Sequence, residues 1–444
     1  MRVKRKSNFI IGILVSVVYL VYRTSNVFIV KPFFDDFDSP AYFDFQLYPS
    51  FRTHGITAVF ATIQNEFLIA LFQAVIGSMV WIYLWIVIME KINSNILNAL
   101  FTISYFIFAS SSIIVEHDSV MLSESLSISS TILLFATTIK IIGASQQISS
   151  KTFYAWAFAY VWFFSTKTPN SVLMPLIIAP LIYVFFVNYK SIRMKFIAII
   201  TLGLSIFSFA SSLSSDVSKT LNTAGTIHNR LWLDDRWRDE LLLSGYPKFS
   251  HEIWLEHGRS DLGVPPDQAV VNLPEYKKWW ADEGESFLIK FTLTNPDYAV
   301  FGPVALPLLN PTFTYKKTLL SGWSQGTDMT FEIPGFKNSF LQRTIFWPDE
   351  PEKAYLTLSL CFIAIGLSLL VLVKYNNKSF FYLIVLTLFY TFLWSYFNWW
   401  FGSKPVDMTR HNLAAAIMFR LLAIFSIFYV IDLIIRQKKR ILIR

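Results

Sequence analysis

The sequence predicts an all-α polytopic membrane protein of about ten transmembrane helices, with an interfacial helix in the first external loop and a long external segment between spans seven and eight. Three observations predict it. Of the 444 residues, 54% are hydrophobic and 17% aromatic, too apolar for an ordinary soluble chain. Apolar runs near the ~20 residues that cross ~30 Å of hydrocarbon recur along the whole sequence. The basic residues gather in short connecting segments and at both termini, which accounts for the net charge of +8 without a nucleic-acid partner.

Taken in order, the runs lie at 9–30, 67–89, 96–115, 121–143, 153–166, 171–187, 196–213, 354–373, 379–397 and 412–434. The first follows the basic stretch Met1 to Lys6 and continues to about Val30 without a small-residue cleavage site, so it reads as an uncleaved span. The fifth and sixth are short and separated only by Lys167-Thr168-Pro169-Asn170, as in a tight hairpin or a partly re-entrant pair. With ten spans, Arg2, Lys4, Arg5 and Lys6, then Lys190, Arg193 and Lys195, then Lys374 and Lys378, then Arg436, Lys438, Lys439 and Arg440 all fall on one side. The positive-inside bias makes that side the cytoplasm, with both termini in it. A membrane module of seven spans (1–213), an external segment (214–353) and a membrane module of three spans (354–444) follow. The one cysteine, Cys361, excludes an intrachain disulfide framework and a cysteine-based metal cluster.

Chemistry-bearing residues collect in the segments that face outward. Asp35, Asp36 and Asp38 crowd together just after the first span. Either repulsion raises the pKa of one of them, giving a base toward a hydroxyl, or a divalent cation sits among them, or they form a solvated acidic loop. Tyr42 to Tyr48 follows, an aromatic and polar mix suited to a helix in the interface. Glu116, His117 and Asp118 precede the fourth span, and Glu124 lies about one turn inside it beside Ser123, Ser125 and Ser127. A carboxylate at that depth must face the protein interior or a water-filled cavity, or pair with a basic residue of a neighbouring span. Arg410 and His411, before the last span, offer donors for a phosphate headgroup or, with Trp399 and Trp400, an interfacial anchor. Lys167 and Asn170 contact an anionic headgroup or snorkel. His228, Asn229 and Arg230, with Asp234 and Asp235, read as a solvated face. His251, Glu252, Glu256 and His257 read as a solvated face rather than a zinc site, because a His-x5-His spacing does not put two imidazoles on one helical face.

Laid out in this order, these residues resemble the GT-C superfamily of integral membrane glycosyltransferases, and a group of bacterial multi-spanning proteins of that type. The matching features are Asp38-Ser39-Pro40-Ala41-Tyr42 in the first external loop, Leu122-Ser123-Glu124-Ser125-Leu126 opening the fourth span, and Arg410-His411 opening the last. Asn229-Arg230, Ser244-Gly245-Tyr246-Pro247, Phe287-Leu288 and Asn295-Pro296-Asp297-Tyr298 match more weakly. The resemblance implies transfer of a sugar from a polyprenyl-phosphate donor to an extracytoplasmic glycan, lipid or protein acceptor, in a bacterial cytoplasmic membrane. It implies Asp38 as the general base, with Asp36 and Asp35 as substitutes, and Arg410, His411 and Lys167 at the donor phosphate. His117, Asp118, Glu124 and Tyr42 then line the substrate pocket. A transporter or flippase of a lipid-linked glycan is the competing class. It calls for two related halves with paired broken helices, and no such symmetry is visible.

Overall fold

The structure, a computed structural model, describes residues 2–34, 39–45, 54–142, 148–167, 169–173, 191–213, 216–248, 250–256, 270–301, 351–401 and 408–443. Their regular elements are all helical, and their single β-type contact is an isolated parallel bridge between Phe33 and Val120. The helices are α1 (Arg2–Val30), α2 (Pro40–Phe43), α3 (His54–Ile63), α4 (Glu66–Met89), α5 (Asn95–Ala109), α6 (Ser112–Val115), α7 (Glu124–Ile142), α8 (Ser150–Phe164) and α9 (Ile192–Leu213). They continue with α10 (Asp216–Asn229), α11 (Asp235–Leu243), α12 (Ser250–Glu256), α13 (Pro274–Trp279), α14 (Glu285–Thr294), α15 (Pro351–Lys374), α16 (Lys378–Phe401) and α17 (Met408–Ile443).

Seven of these are long and apolar enough to cross a membrane: α1, α4, α7, α9, α15, α16 and α17. The bent pair Asn95–Ala109 and Ile113–Ser119, angled by 60°, makes an eighth if counted as one span. The expectation of ten is therefore met only as an all-helical membrane fold. The run at 153–166 forms α8, whose 15 residues fall short of a full crossing, and most of 171–187 lies outside the described residues. The interfacial helix expected over Tyr42 to Tyr48 is also different. Helix α2 stops at Phe43, Asp44 is extended, residues 46–53 lie outside the described residues, and the longer helix of this loop is the short apolar α3.

Helices α7 and α17 occupy the centre: 78% and 83% of their apolar windows are buried, against 28% for α1 and 22% for α15. Small residues allow this. Ala414, Ala415 and Ala416 of α17 and Ser125, Ser127, Ser129 and Ser130 of α7 let neighbouring backbones approach closely, which is how helices associate where lipid removes the hydrophobic drive. Aromatic rings then fill the gaps, with Phe380 stacked on Tyr429 at 3.7 Å between ring centres and Phe362 against Phe419 at 4.6 Å.

The bundle has two unlike ends. At one, Asp432 of α17 accepts a hydrogen bond from the Ser94 backbone N–H (2.9 Å) and pairs with Arg436 (2.9 Å), while Asn377 donates to the Tyr429 hydroxyl (2.8 Å). This end carries Lys91, Lys374 and Lys378. The other end carries the loop after α1, the 3₁₀ turn Glu116–Ser119 and the folded unit from α10 to Phe301. That unit is held by an aromatic core of Trp237, Tyr246, Tyr276, Trp279, Phe287, Phe291 and Tyr298, which Trp399 of α16 joins from below. Helix α11 closes into it through Gly245, whose φ of +85° only glycine adopts without strain, so that the Tyr246 N–H reaches back to the Leu241 carbonyl (3.4 Å).

Candidate functional site

The polar centre is built on the 3₁₀ turn Glu116–Ser119 and the first residues of α7, where Glu116, His117, Asp118, Ser119, Ser123, Glu124 and Ser125 are all buried. Asp118 is clamped from both sides. Arg23 of α1 donates from Nε and Nη2 to its two carboxylate oxygens (2.5 and 2.9 Å), and the Ser125 hydroxyl donates to Oδ1 (2.6 Å). Gln73 of α4 donates to the carbonyls of Asp118 (3.0 Å) and Val120 (3.3 Å), and Arg23 Nη1 donates to the Tyr19 hydroxyl (3.1 Å). Both charges are fully buried, and a two-donor guanidinium edge against a carboxylate is the geometry that makes such burial tolerable. Gly77 makes room for it, since a Cβ there would lie 2.3 Å from Arg23 Nη2.

A second ion pair lies beside the first. Lys167, just past the end of α8, meets Glu124 at 2.9 Å, both buried. Lys167, expected at a donor phosphate, thus has its charge matched by Glu124, the pairing with a neighbouring segment that was the alternative reading of that carboxylate. His117 stands within electrostatic reach of Glu124, Lys167 and Asp118. Its Nδ1 is 2.8 Å from the Ile113 carbonyl, and because a carbonyl only accepts, Nδ1 carries the proton and Nε2 is an acceptor in the neutral ring. Nε2 is buried without a hydrogen-bond partner, as are Ser119 Oγ, Ser127 Oγ, Gln73 Oε1 and Asn170 Oδ1. Buried polar atoms in this position require water or a ligand.

The first external loop is fastened to this centre. The Phe33 N–H donates to the Ser119 carbonyl (2.7 Å), the Met121 N–H donates to the Phe33 carbonyl (3.0 Å), and the Ser39 hydroxyl donates to the Met121 carbonyl (2.9 Å). Tyr42, expected in the pocket, is buried in an adjoining apolar cluster with Phe60, Val120, Met121 and Leu122. The expected catalytic residues Asp35, Asp36 and Asp38 lie outside the described residues, between these two fastenings. Arg410 and His411 belong to the first turn of α17, whose backbone is described; that turn starts at the end opposite Asp432, the end that holds Glu124. Among the described residues no group of three or more His, Cys, Asp or Glu side chains is placed to hold a metal.

The solvated face expected around His228 and Arg230 is instead an interior, where these residues are 2% and 0% exposed. His228 is held between the Tyr246 hydroxyl at Nε2 (2.7 Å) and His251 Nδ1 at its own Nδ1 (3.2 Å), with Trp232 stacked on His251. Burial, with His251 adding to it, lowers the His228 pKa to about 3. Arg230 lies over the Trp399 ring (4.9 Å) and donates from Nη1 to the Trp399 carbonyl. Trp399, expected as an interfacial anchor, is therefore fully buried.

Arg23, Gln73 and Arg420 were not singled out in the sequence, although Arg23 and Arg420 each interrupt an apolar run, a signal that calls for a partner. Arg420 is fully buried in α17, where it donates to the Ala416 carbonyl (3.3 Å). Comparison with protein-family models gives no match, and no curated protein or solved structure matches the chain.

Proposed function

We propose that the protein is a membrane glycosyltransferase that moves a sugar from a polyprenyl-phosphate donor to an extracytoplasmic acceptor, with Asp38 as general base. One observation carries the reading: the loop bearing the acids is joined, through Phe33 and Ser39, to the backbone that also carries His117 and leads into Glu124. An imidazole acceptor, a buried Glu–Lys pair and the two attachment points of that loop then belong to one polar centre at one end of the bundle. A lipid-phosphate donor keeps its tail in the bilayer while its sugar meets a water-side acceptor, so the chemistry belongs at such an end.

In the proposed step the acceptor O–H gives its proton to the Asp38 carboxylate as its oxygen attacks the anomeric carbon. The bond from that carbon to the phosphate oxygen breaks, and polyprenyl phosphate leaves with the electron pair, its charge met by Arg410 and His411. His117 Nε2 and the Glu124–Lys167 pair contact the sugar or acceptor hydroxyls. Asp118 has no part in proton transfer, being held by Arg23 and Ser125.

The same reading puts the Asp432 end in the cytoplasm of a bacterial cell, on the bias of Lys91, Lys374, Lys378 and Arg436. The test is transfer from a radiolabelled lipid-linked sugar in membranes carrying Asp38→Asn, Asp36→Asn, Asp35→Asn or the triple variant. Transfer is lost in Asp38→Asn with the protein level unchanged. Full transfer in the triple variant would remove the enzymatic reading and leave transport of the lipid-linked glycan as the function to test.

A further inference from the structure

Arg230 is a fully buried cation without a carboxylate partner among the described residues. It sits where α10 gives way to the 3₁₀ turn Leu231–Leu233, against the last turn of α16. One ring face of Trp399 covers the guanidinium, Nη1 is spent on the Trp399 carbonyl, and the Tyr298 hydroxyl lies beside it, itself donating to the Trp399 and Trp400 carbonyls (3.3 and 3.2 Å). Nε and Nη2 are buried and have no hydrogen-bond partner among the described residues. These two N–H groups form the side-on edge that binds an oxyanion through two parallel hydrogen bonds. In Arg23 the same two atoms hold the Asp118 carboxylate.

We infer that the Nε/Nη2 edge of Arg230 is an oxyanion site that takes the phosphate of a lipid phosphate. Location selects the lipid. Trp399 and Trp400 close a helix long and apolar enough to span the membrane, so Arg230 sits at the level where a phosphate on a membrane-embedded tail lies. Desolvation supplies the drive: a buried guanidinium with two unmet donors gains from an anion what an exposed one would not. The polyprenyl nature of the tail rests on the transferase reading; the oxyanion site does not.

The test follows thermal unfolding of the full-length protein in a neutral detergent during titration with farnesyl phosphate, phosphatidic acid, inorganic phosphate and uncharged farnesol. Farnesyl phosphate raises Tm saturably in the unchanged protein and farnesol does not. In Arg230→Met the shift disappears while the ligand-free Tm stays at or above that of the unchanged protein. In Arg230→Lys, which lacks the two-donor edge, half-saturation needs about tenfold or more ligand. If Arg230→Met does not fold, Arg230→Lys carries the test. Equal shifts with phosphatidic acid support a general lipid-phosphate site, whereas inorganic phosphate acting as strongly as either lipid overturns the lipid assignment. An undiminished shift in both variants, or no shift with any phosphate in the unchanged protein, overturns the site. Asp38→Asn retains the shift, so transfer that survives in that variant removes the base and leaves this site standing.

Discussion

Two of the fully buried arginines among the described residues, Arg23 and Arg230, are treated in opposite ways. Arg23, within the helical bundle, spends its side-on edge on Asp118, which Ser125 also holds. Arg230, in the aromatic unit at the end of α16, has one carbonyl, one ring face and the Tyr298 hydroxyl for company, and no carboxylate among the described residues. The difference separates a staple from a receptor. A matched buried pair fixes two segments far apart in the chain, whereas an unmatched cation keeps donors that a ligand can meet.

Breaking the matched pair has the largest effect. Arg23→Ala or Asp118→Ala strands a buried charge and costs about 3–5 kcal/mol, read as loss of the folded, monodisperse peak in size-exclusion chromatography. Combining Arg23→Leu with Asp118→Leu recovers much of that loss. Gly77→Ala attacks the same pair sterically, because its Cβ would meet Arg23 Nη2 at 2.3 Å. Overpacking of that kind costs about 1–3 kcal/mol, and a melt indistinguishable from the unchanged protein would show that Arg23 has somewhere else to go.

The aromatic unit responds to pH instead. His228 is neutral when folded, with its pKa lowered to about 3, while an unfolded histidine titrates near 6.5. The unfolded chain thus binds more protons between those values, so this contribution to stability is whole above about pH 6.5 and shrinks as pH falls toward 3. Between pH 6.5 and 5 the loss is about 2 kcal/mol. Tyr246, His251 and the Trp232 ring all face His228. Hydrogen exchange of residues 231–246 at the two pH values measures the effect, and His228→Gln flattens it. Arg230→Met has the smallest effect without ligand, within about 1 kcal/mol of the unchanged protein, since replacing an unpaired buried charge by an apolar side chain is neutral or stabilising. A loss as large as that of Arg23→Ala would make the two arginines alike and end the distinction.

The all-helical membrane fold was legible because long apolar runs need no tertiary context. The count of ten was not met among the described residues, which hold seven candidate spans or eight with the bent pair. The central serines of α7 and the depth of Glu124 were legible too, down to the alternative that a basic residue of a neighbouring segment pairs with it. The partners of Asp118 were not. Ninety-five positions separate it from Arg23, and the motif reading followed carboxylates rather than lone cations inside apolar runs. Arg230 was misjudged for the converse reason: charges around it in sequence suggested a wet surface, while the Trp and Tyr residues that bury it come from as far away as Trp399. Clusters of aromatic residues in a charged segment are the sign that was available.

The bridge between Phe33 and Val120 implies something about time rather than place. The Phe33 and Met121 amides lie outside every helix, the second at a position the apolar run at 121–143 assigns to a span, yet each is tied to a carbonyl across the bridge. In deuterated buffer these two protons persist like those of a structured core, so the slowest exchange in the segment after α1 is found at its hinge.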